Sequence, residues 1–316
     1  MLLEALPFAP PATAPLQPLS LSWARDAGVE LAMLRLDSID PQLSGNKWYK
    51  LAPYLAACSV HPDETIPATG LISLGGPHSN HLHALAAAGQ RFGLATVGLL
   101  RGEPCQTPTV VDLQQAGMAL HWLGYGGYRA RHQPGFWAPW QARYPGFVCV
   151  EEGGCSLAAA ESCARLVGGL RRQLGDLGWD DYTALWLAAG TGTTLAGLVI
   201  GEAGAHPVYG ALAGPPAHGV RHAVAALLEQ AGRLDAGYCL IEAARGGFGR
   251  IDETLLAFMA DTEAETGVPL DPVYTAKALL ALRLTIAAGR FAPGSRIIVV
   301  HTGGLQGRRT LPERAS

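Results

Sequence analysis

Two periodicities divide this chain between them. Short apolar runs at Leu31–Leu36, Leu71–Leu74, Thr96–Leu100, Leu120–Leu123, Phe147–Val150, Ala184–Ala188, Val208–Leu212, Tyr238–Glu242 and Arg296–Val300 predict strands. Between them, apolar residues recur every three or four positions, predicting helices that start at Lys47, after Ser79, near Val110, at Leu157, after Thr194, and near Val220, Glu253 and Ala276. A polar turn is expected over 61–69, and the aromatic, glycine-rich stretch Tyr125–Tyr144 predicts no element. Strand and helix alternate throughout, which implies α/β architecture with parallel sheets covered on both faces. The alternation falls into two series. It predicts two doubly wound open-sheet domains, residues 51–157 and residues 1–50 with 158–316, facing each other across a cleft at the strands' carboxyl ends.

Composition narrows the function classes. The chain has 316 residues, 49% of them hydrophobic and only 16% charged, with a net charge of −3 and a pI near 6.4. No basic run or face is visible, which argues against nucleic acid or an anionic membrane as a partner. The six cysteines form no CxxC pair and read as reduced thiols of a cytoplasmic protein. Met1–Leu21 holds five prolines and no basic residue, unlike a secretory leader. No window approaches the length of an apolar membrane span. Forty glycines suggest tight turns and close backbone approaches to something bound.

The chemistry centres on Ser44-Gly45-Asn46-Lys47-Trp48-Tyr49-Lys50-Leu51. Lys47 is expected on the first turn of a helix, where the positive end of the helix dipole disfavours a cation. With burial between Trp48 and Tyr49, that field should lower the lysine's pKa and free the amine as a nucleophile. A second signal is Gly190-Thr191-Gly192-Thr193-Thr194, lying between a strand and a helix. Backbone N–H groups and three threonine hydroxyls there suit one phosphate at a helix N-terminus. The loop lacks the Gly-Lys-Ser/Thr ending of a P-loop. Leu195 stands where a dinucleotide fingerprint needs its third glycine, and no acidic residue follows Val208–Leu212, so a small phosphate ester fits better than a nucleotide.

A third cluster is Gly75-Gly76-Pro77-His78-Ser79-Asn80-His81-Leu82-His83. Three imidazoles invite a metal reading, but no Asp, Glu or Cys stands beside them in sequence, so Ser79-Asn80 reads better as an anion or cofactor site. A serine hydrolase would need Gly-x-Ser-x-Gly around Ser79, which is absent. An activated lysine, a phosphate loop and strand-end glycines together suggest a phosphorylated aldehyde bound covalently, for which pyridoxal phosphate is the obvious choice.

These motifs occur in an order that resembles one family. Ser44-Gly45-Asn46-Lys47-x-x-Lys50-Leu51, Gly75-Gly-x-x-Ser79-Asn80, Gly190 to Thr194, Asp271-Pro272-Val273-Tyr274-Thr275 and His301-Thr302-Gly303-Gly304 are similar to those of the pyridoxal-phosphate enzymes comprising D-cysteine desulfhydrase and 1-aminocyclopropane-1-carboxylate (ACC) deaminase. The resemblance implies the tryptophan-synthase-β-like fold and a homodimer. It implies Lys47 as Schiff-base lysine and candidate proton shuttle, Asn80 at the cofactor's ring hydroxyl, and Ser79 at the substrate carboxylate or assisting proton transfer. Gly190, Thr191, Gly192, Thr193 and Thr194 would hold the phosphate, Tyr274 would lie against the ring or reach the substrate as a catalytic residue, and Thr275 would face the ring nitrogen. The deaminases resemble one another in carrying Glu where Thr275 stands and Leu where Thr302 stands. Thr275 and Thr302 are thus desulfhydrase-like, which favours α,β-elimination from a small amino acid over ring opening. The alternatives are the deaminase reaction, β-replacement with an external nucleophile, or a non-catalytic binder of pyridoxal phosphate. One departure stands out, because Phe248 occupies a stretch where the family usually has a tyrosine, leaving the leaving group without an acid.

Overall fold

A computed structural model describes residues 8, 10, 12–59 and 69–311. Among these, the element order is β1 (Leu16–Pro18), α1 (Ser22–Asp26), β2 (Glu30–Arg35), α2 (Asn46–Ser59), β3 (Gly70–Gly75), α3 (Asn80–Phe92), β4 (Ala95–Leu100), α4 (Pro108–Gln115) and β5 (Ala119–Trp122). There follow α5 (Gly124–Arg129), α6 (Ala138–Arg143), β6 (Phe147–Val150), α7 (Leu157–Arg171), β7 (Ala184–Ala189), α8 (Thr193–Glu202) and β8 (Val208–Leu212). The order closes with α9 (Val220–Gln230), β9 (Tyr238–Glu242), α10 (Glu253–Thr266), α11 (Thr275–Ala287) and β10 (Arg296–His301). The expected polar turn at 61–69 lies, apart from Thr69, outside the described residues.

Two sheets result. One has four strands in the order β5-β4-β3-β6, all parallel. The other has six, β1-β2-β10-β7-β8-β9, and is parallel except at β1, which pairs antiparallel with β2. The fully parallel expectation therefore needs one correction. Leu16-Gln17-Pro18 is an edge strand inside the proline-rich lead, and an edge is where a sheet tolerates a residue lacking its N–H. The unassigned segment 125–144 carries two short helices, whose aromatic side chains cover the outer face of the small sheet's β3 and β4.

Both faces of each sheet are covered, which is why the strands read as unbroken apolar runs. Every residue of β7 is buried, and its Trp186 stacks on Tyr209 of β8 at 5.5 Å. On one face of the large sheet, α8 lies against α7 at backbone distance. A methyl group at Gly197 would come within 2.4 Å of the Ala160 carbonyl, and one at Gly201 within 2.5 Å of the Ala164 carbonyl. This close seat fixes where α8 begins, directly beyond the carboxyl end of β7. The ends of β3 and β7, the loop just after β10 and the first turns of α2 contribute residues to one cavity.

Candidate active site

Lys47 sits in the first turn of α2 and lines that cavity, which has a volume of about 490 Å³. Its pKa is held down at about 7, first by burial and then by the neighbouring Lys50 ammonium. The direction and the role of burial agree with the sequence reading, which did not foresee Lys50 or which groups bury the amine. Trp48 does not sandwich the lysine, because its indole N–H donates to the Phe8 carbonyl (2.9 Å) and its ring lies beside Phe92 and under Arg91. The Lys47 amine donates to Asn46 Oδ1 at 2.8 Å, and Asn46 Nδ2 donates to Thr194 Oγ1 at 2.8 Å. That relay ties the start of α2 to the start of α8.

The bend that presents Lys47 depends on Gly45. Its φ of +68° is costly for any residue with a Cβ, and a methyl there would fall 2.0 Å from the Thr302 carbonyl. Asn46 N–H donates to that same carbonyl at 3.2 Å. Thr302 is thereby packed against the lysine loop, and it lines the cavity.

Opposite stands the loop Gly190–Thr194. Gly190, Thr191, Gly192 and Thr194 line the cavity, with Gly192 capping the N-terminus of α8. Thr193 is fully buried and absent from the lining, and its hydroxyl lies 3.2 Å from that of Thr191. Lys50, given no specific role by the sequence reading beyond motif membership, completes this wall. It is 4% exposed, and its ammonium donates to the Gly153 carbonyl (2.7 Å) and to Thr191 Oγ1 (3.2 Å). Burial lowers its pKa too, and no carboxylate pairs with it among the described residues. A buried cation with only neutral partners among the described residues, beside the N-terminus of α8, is suited to an anion. A phosphate monoester fits the site in charge and in donor supply. The signal was present in the sequence, since Lys50 lies one turn beyond Lys47 on the same helix face.

The chain has only three lysines. The third, Lys277, is buried elsewhere, donating to the Ala244 and Gly247 carbonyls at 3.0 Å each. Lys47 is thus the lysine that combines a place on the cavity wall with freedom from the anion cradle.

Ser79 caps α3, its Oγ accepting the Leu82 N–H at 3.1 Å, and it also faces the cavity. Asn80 lines the cavity as well, and its Oδ1 accepts from Gln306 Nε2 at 2.6 Å. Tyr274 packs over Gly190 and meets Phe248 edge-on at 5.8 Å. Burial raises the Tyr274 pKa above the usual phenol range, so its hydroxyl keeps its proton near neutrality. Thr275 is placed differently from the expectation that it faces a bound ring. It does not line the cavity, and its hydroxyl is engaged with Asp271, donating to Oδ1 (3.0 Å) and accepting from the Asp271 N–H (2.7 Å). The cavity wall there is Asp271 itself, whose carboxylate accepts the N–H groups of Val273 (3.0 Å) and Thr275 (2.7 Å). Burial raises the Asp271 pKa, and these hydrogen bonds work against that rise.

The three imidazoles part company. His81 Nε2 lies 2.8 Å from Ser73 Oγ, which gives its own proton to the Val150 carbonyl at 2.7 Å. The network therefore puts the His81 proton on Nε2 and leaves Nδ1 as an acceptor without a partner among the described residues. His83 pairs with Asp112 at 3.2 Å, an acid that sequence spacing had not brought near it. His78 alone is exposed on the cavity wall. Among the described residues, no cluster of His, Cys, Asp and Glu could hold a metal ion. No helix among them is long and apolar enough to cross a membrane.

Comparison with known proteins bears on this arrangement. No family profile matches the chain. It is 26% identical over 302 residues to a protein of Pyrococcus abyssi named "Putative 1-aminocyclopropane-1-carboxylate deaminase", covering 90% of this chain and 87% of that one. It is 27% identical over 306 residues to the mitochondrial bifunctional D-cysteine desulfhydrase/ACC deaminase of Arabidopsis thaliana, covering 89% and 73%. A crystal structure of an ACC deaminase homologue superposes with a TM-score of 0.80 at 23% identity, over 95% of this chain and 91% of that one. The structure of a pyridoxal 5'-phosphate-dependent aspartate racemase shares the fold at a TM-score of 0.65 and 13% identity, over 93% and 90%. Along nine-tenths of its length the chain is similar in sequence to proteins named as ACC deaminase and as D-cysteine desulfhydrase/ACC deaminase, and it shares the fold of an ACC deaminase homologue.

Proposed function

We propose that the chain is a pyridoxal-phosphate-dependent lyase that eliminates a β-substituent from a small amino acid, releasing pyruvate, ammonia and, from cysteine, sulfide. One observation carries this reading: an amine with a pKa of about 7 and a buried lysine with neutral partners beside the Gly190–Thr194 loop open into the same cavity. Lys47 would hold the cofactor's aldehyde carbon. Lys50, Gly190, Thr191, Gly192 and Thr194 would hold its phosphate, with Thr193 bracing Thr191 from behind. Asn80 and Tyr274 would flank its ring. Once bound, the cofactor supplies an electron sink that acidifies the Cα–H bond of an amino acid.

The chain's own residues do the rest. The Lys47 amine is of the right basicity to accept the Cα proton near neutral pH. The N-terminus of α3, with the Ser79 hydroxyl, offers donors and a favourable dipole to the substrate carboxylate. Tyr274, protonated, can donate a hydrogen bond but does not compete with Lys47 as a base. Thr302, which lines the cavity, follows the desulfhydrase-like pattern and supports elimination over cyclopropane opening, whereas Thr275 is turned onto Asp271 and does not bear on the choice. The names of the archaeal relatives support deaminase activity as the second reading. A panel of D- and L-amino acids with β-leaving groups, together with ACC, scored for 2-oxo acid, tests both. Product from cysteine or β-chloroalanine and none from ACC is the expected result. Product from ACC alone would favour the second reading, and no product from any substrate would refute both.

A further inference from the structure

The cavity holds an acid that the family likeness does not supply. Phe248 lines it beside Tyr274, and a phenyl ring has no proton to give to a departing thiolate. The other proton-bearing side chains on the wall are engaged or poor acids, and the His81 Nε2 proton is held by Ser73 Oγ at 2.8 Å. Lys47 is assigned to the Cα proton and Lys50 to the anion. The Tyr128 hydroxyl is donated to Glu152, which Arg131 also holds at 2.7 Å. Burial makes the Tyr274 hydroxyl reluctant to ionise. An alcohol such as Ser79 is a weaker acid still.

His78 is different. It occupies a tight turn between β3 and α3 whose backbone is fixed from three sides. Ser79 N–H donates to the Gly76 carbonyl (3.0 Å), Arg101 N–H to the Gly75 carbonyl (3.0 Å), and Thr107 Oγ1 to the Pro77 carbonyl (2.5 Å). The imidazole itself makes no hydrogen bond among the described residues. It is exposed to solvent and lines the cavity next to Ser79 and Asn80. An imidazole on a rigid turn, with an unused ring and access to water, is suited to passing a proton to a reacting group and regaining one.

We propose that His78 is the catalytic acid that protonates the leaving group, a role that Phe248, on the same cavity wall, cannot fill. The assignment rests on the elimination reading above. In the step, the Cα–H bond breaks and its proton passes to the Lys47 amine. The electron pair left behind forms the second Cα–Cβ bond as the Cβ–S bond breaks with its pair moving to sulfur. Sulfur takes the imidazole proton, giving 2-aminoacrylate and hydrogen sulfide or a thiol, and water then yields pyruvate and ammonia. His78 recovers its proton from solvent, and Lys47 releases one.

The test uses the holoenzyme and two substrates of whichever enantiomer it turns over. Cysteine leaves as hydrosulfide, a far more basic anion than the chloride of β-chloroalanine, so protonation of the leaving group speeds the first substrate and not the second. His78→Gln should raise the ratio of kcat/KM for β-chloroalanine over cysteine by about 100-fold or more, the usual scale of a general-acid contribution. The cofactor's near-visible absorbance band and the exchange of the alanine Cα proton with deuterated solvent should match wild type, showing that folding, cofactor binding and proton abstraction survive. An unchanged ratio, whether both substrates are equally impaired or neither is, overturns the proposal. Failure of the wild-type holoenzyme with both substrates overturns the elimination reading instead, and this assignment with it.

Discussion

Lys47 should react as a free amine near neutral pH. Its pKa is about 7 against the ordinary 10.5, a difference of 10.5 − 7 = 3.5 units. At pH 7 about half the molecules carry the neutral amine, compared with roughly one in three thousand for an ordinary lysine, so Lys47 should reach its limiting acylation rate near neutrality whereas an ordinary lysine does so only above about pH 10. Burial is the first cause and Lys50 the second. Lys50→Met should therefore raise the titration midpoint yet leave it below the ordinary value. Competitive acylation of cofactor-free protein across the neutral and alkaline range, read by mass spectrometry of the peptide carrying Lys47, gives the midpoint directly. The sign for stability follows from linkage. The folded pKa lies below the unfolded one, so the unfolded state binds more protons between about 7 and 10.5, and stability rises with pH across that window. Lys47→Met should flatten that rise, whose ceiling is about 5 kcal/mol. A midpoint near 10, or a return to the ordinary value in Lys50→Met, would refute burial as the dominant cause.

Three further outcomes are expected. Lys50→Met should weaken pyridoxal phosphate retention by about 10- to 100-fold, the value of a charge-assisted hydrogen bond, with little effect on unphosphorylated pyridoxal, as measured by equilibrium dialysis. Gly45→Ala and Gly93→Ala share the same φ of +68°, but only the first pushes a methyl into the Thr302 carbonyl, the second having nothing within 4 Å. Urea midpoints should therefore show about 1 kcal/mol lost at Gly93 and distinctly more at Gly45. Ser73→Ala strands both the Val150 carbonyl and His81 Nε2, and should cost about 2 kcal/mol or more by the same assay.

Much of this architecture was legible because parallel strands buried on both faces leave short apolar runs that little else imitates. Val208–Leu212, Tyr238–Glu242 and Glu253–Thr266 have the expected bounds. What escaped had physical reasons. Leu16–Pro18 pairs only along one edge, so its sequence need not exclude proline. The short helices of 124–143 are held by tertiary contacts of Tyr128 and Trp140 with the small sheet, not by helix propensity. At the site, the motifs named the loops but not their internal wiring. Thr275 is turned onto Asp271, and the polarity of that wall comes from a carboxylate whose acceptors are taken by three backbone N–H groups. Trp48, adjacent to the lysine in sequence, points away from it because successive helix positions do not share a face.

The central claim is a covalent one, and the chain's three lysines make it simple to check. Protein saturated with pyridoxal phosphate would be reduced with borohydride and digested, and every lysine-containing peptide weighed. The account predicts the phosphopyridoxyl mass on Lys47 and on neither Lys50 nor Lys277. Label on either of those two, or on no lysine at all, would contradict it.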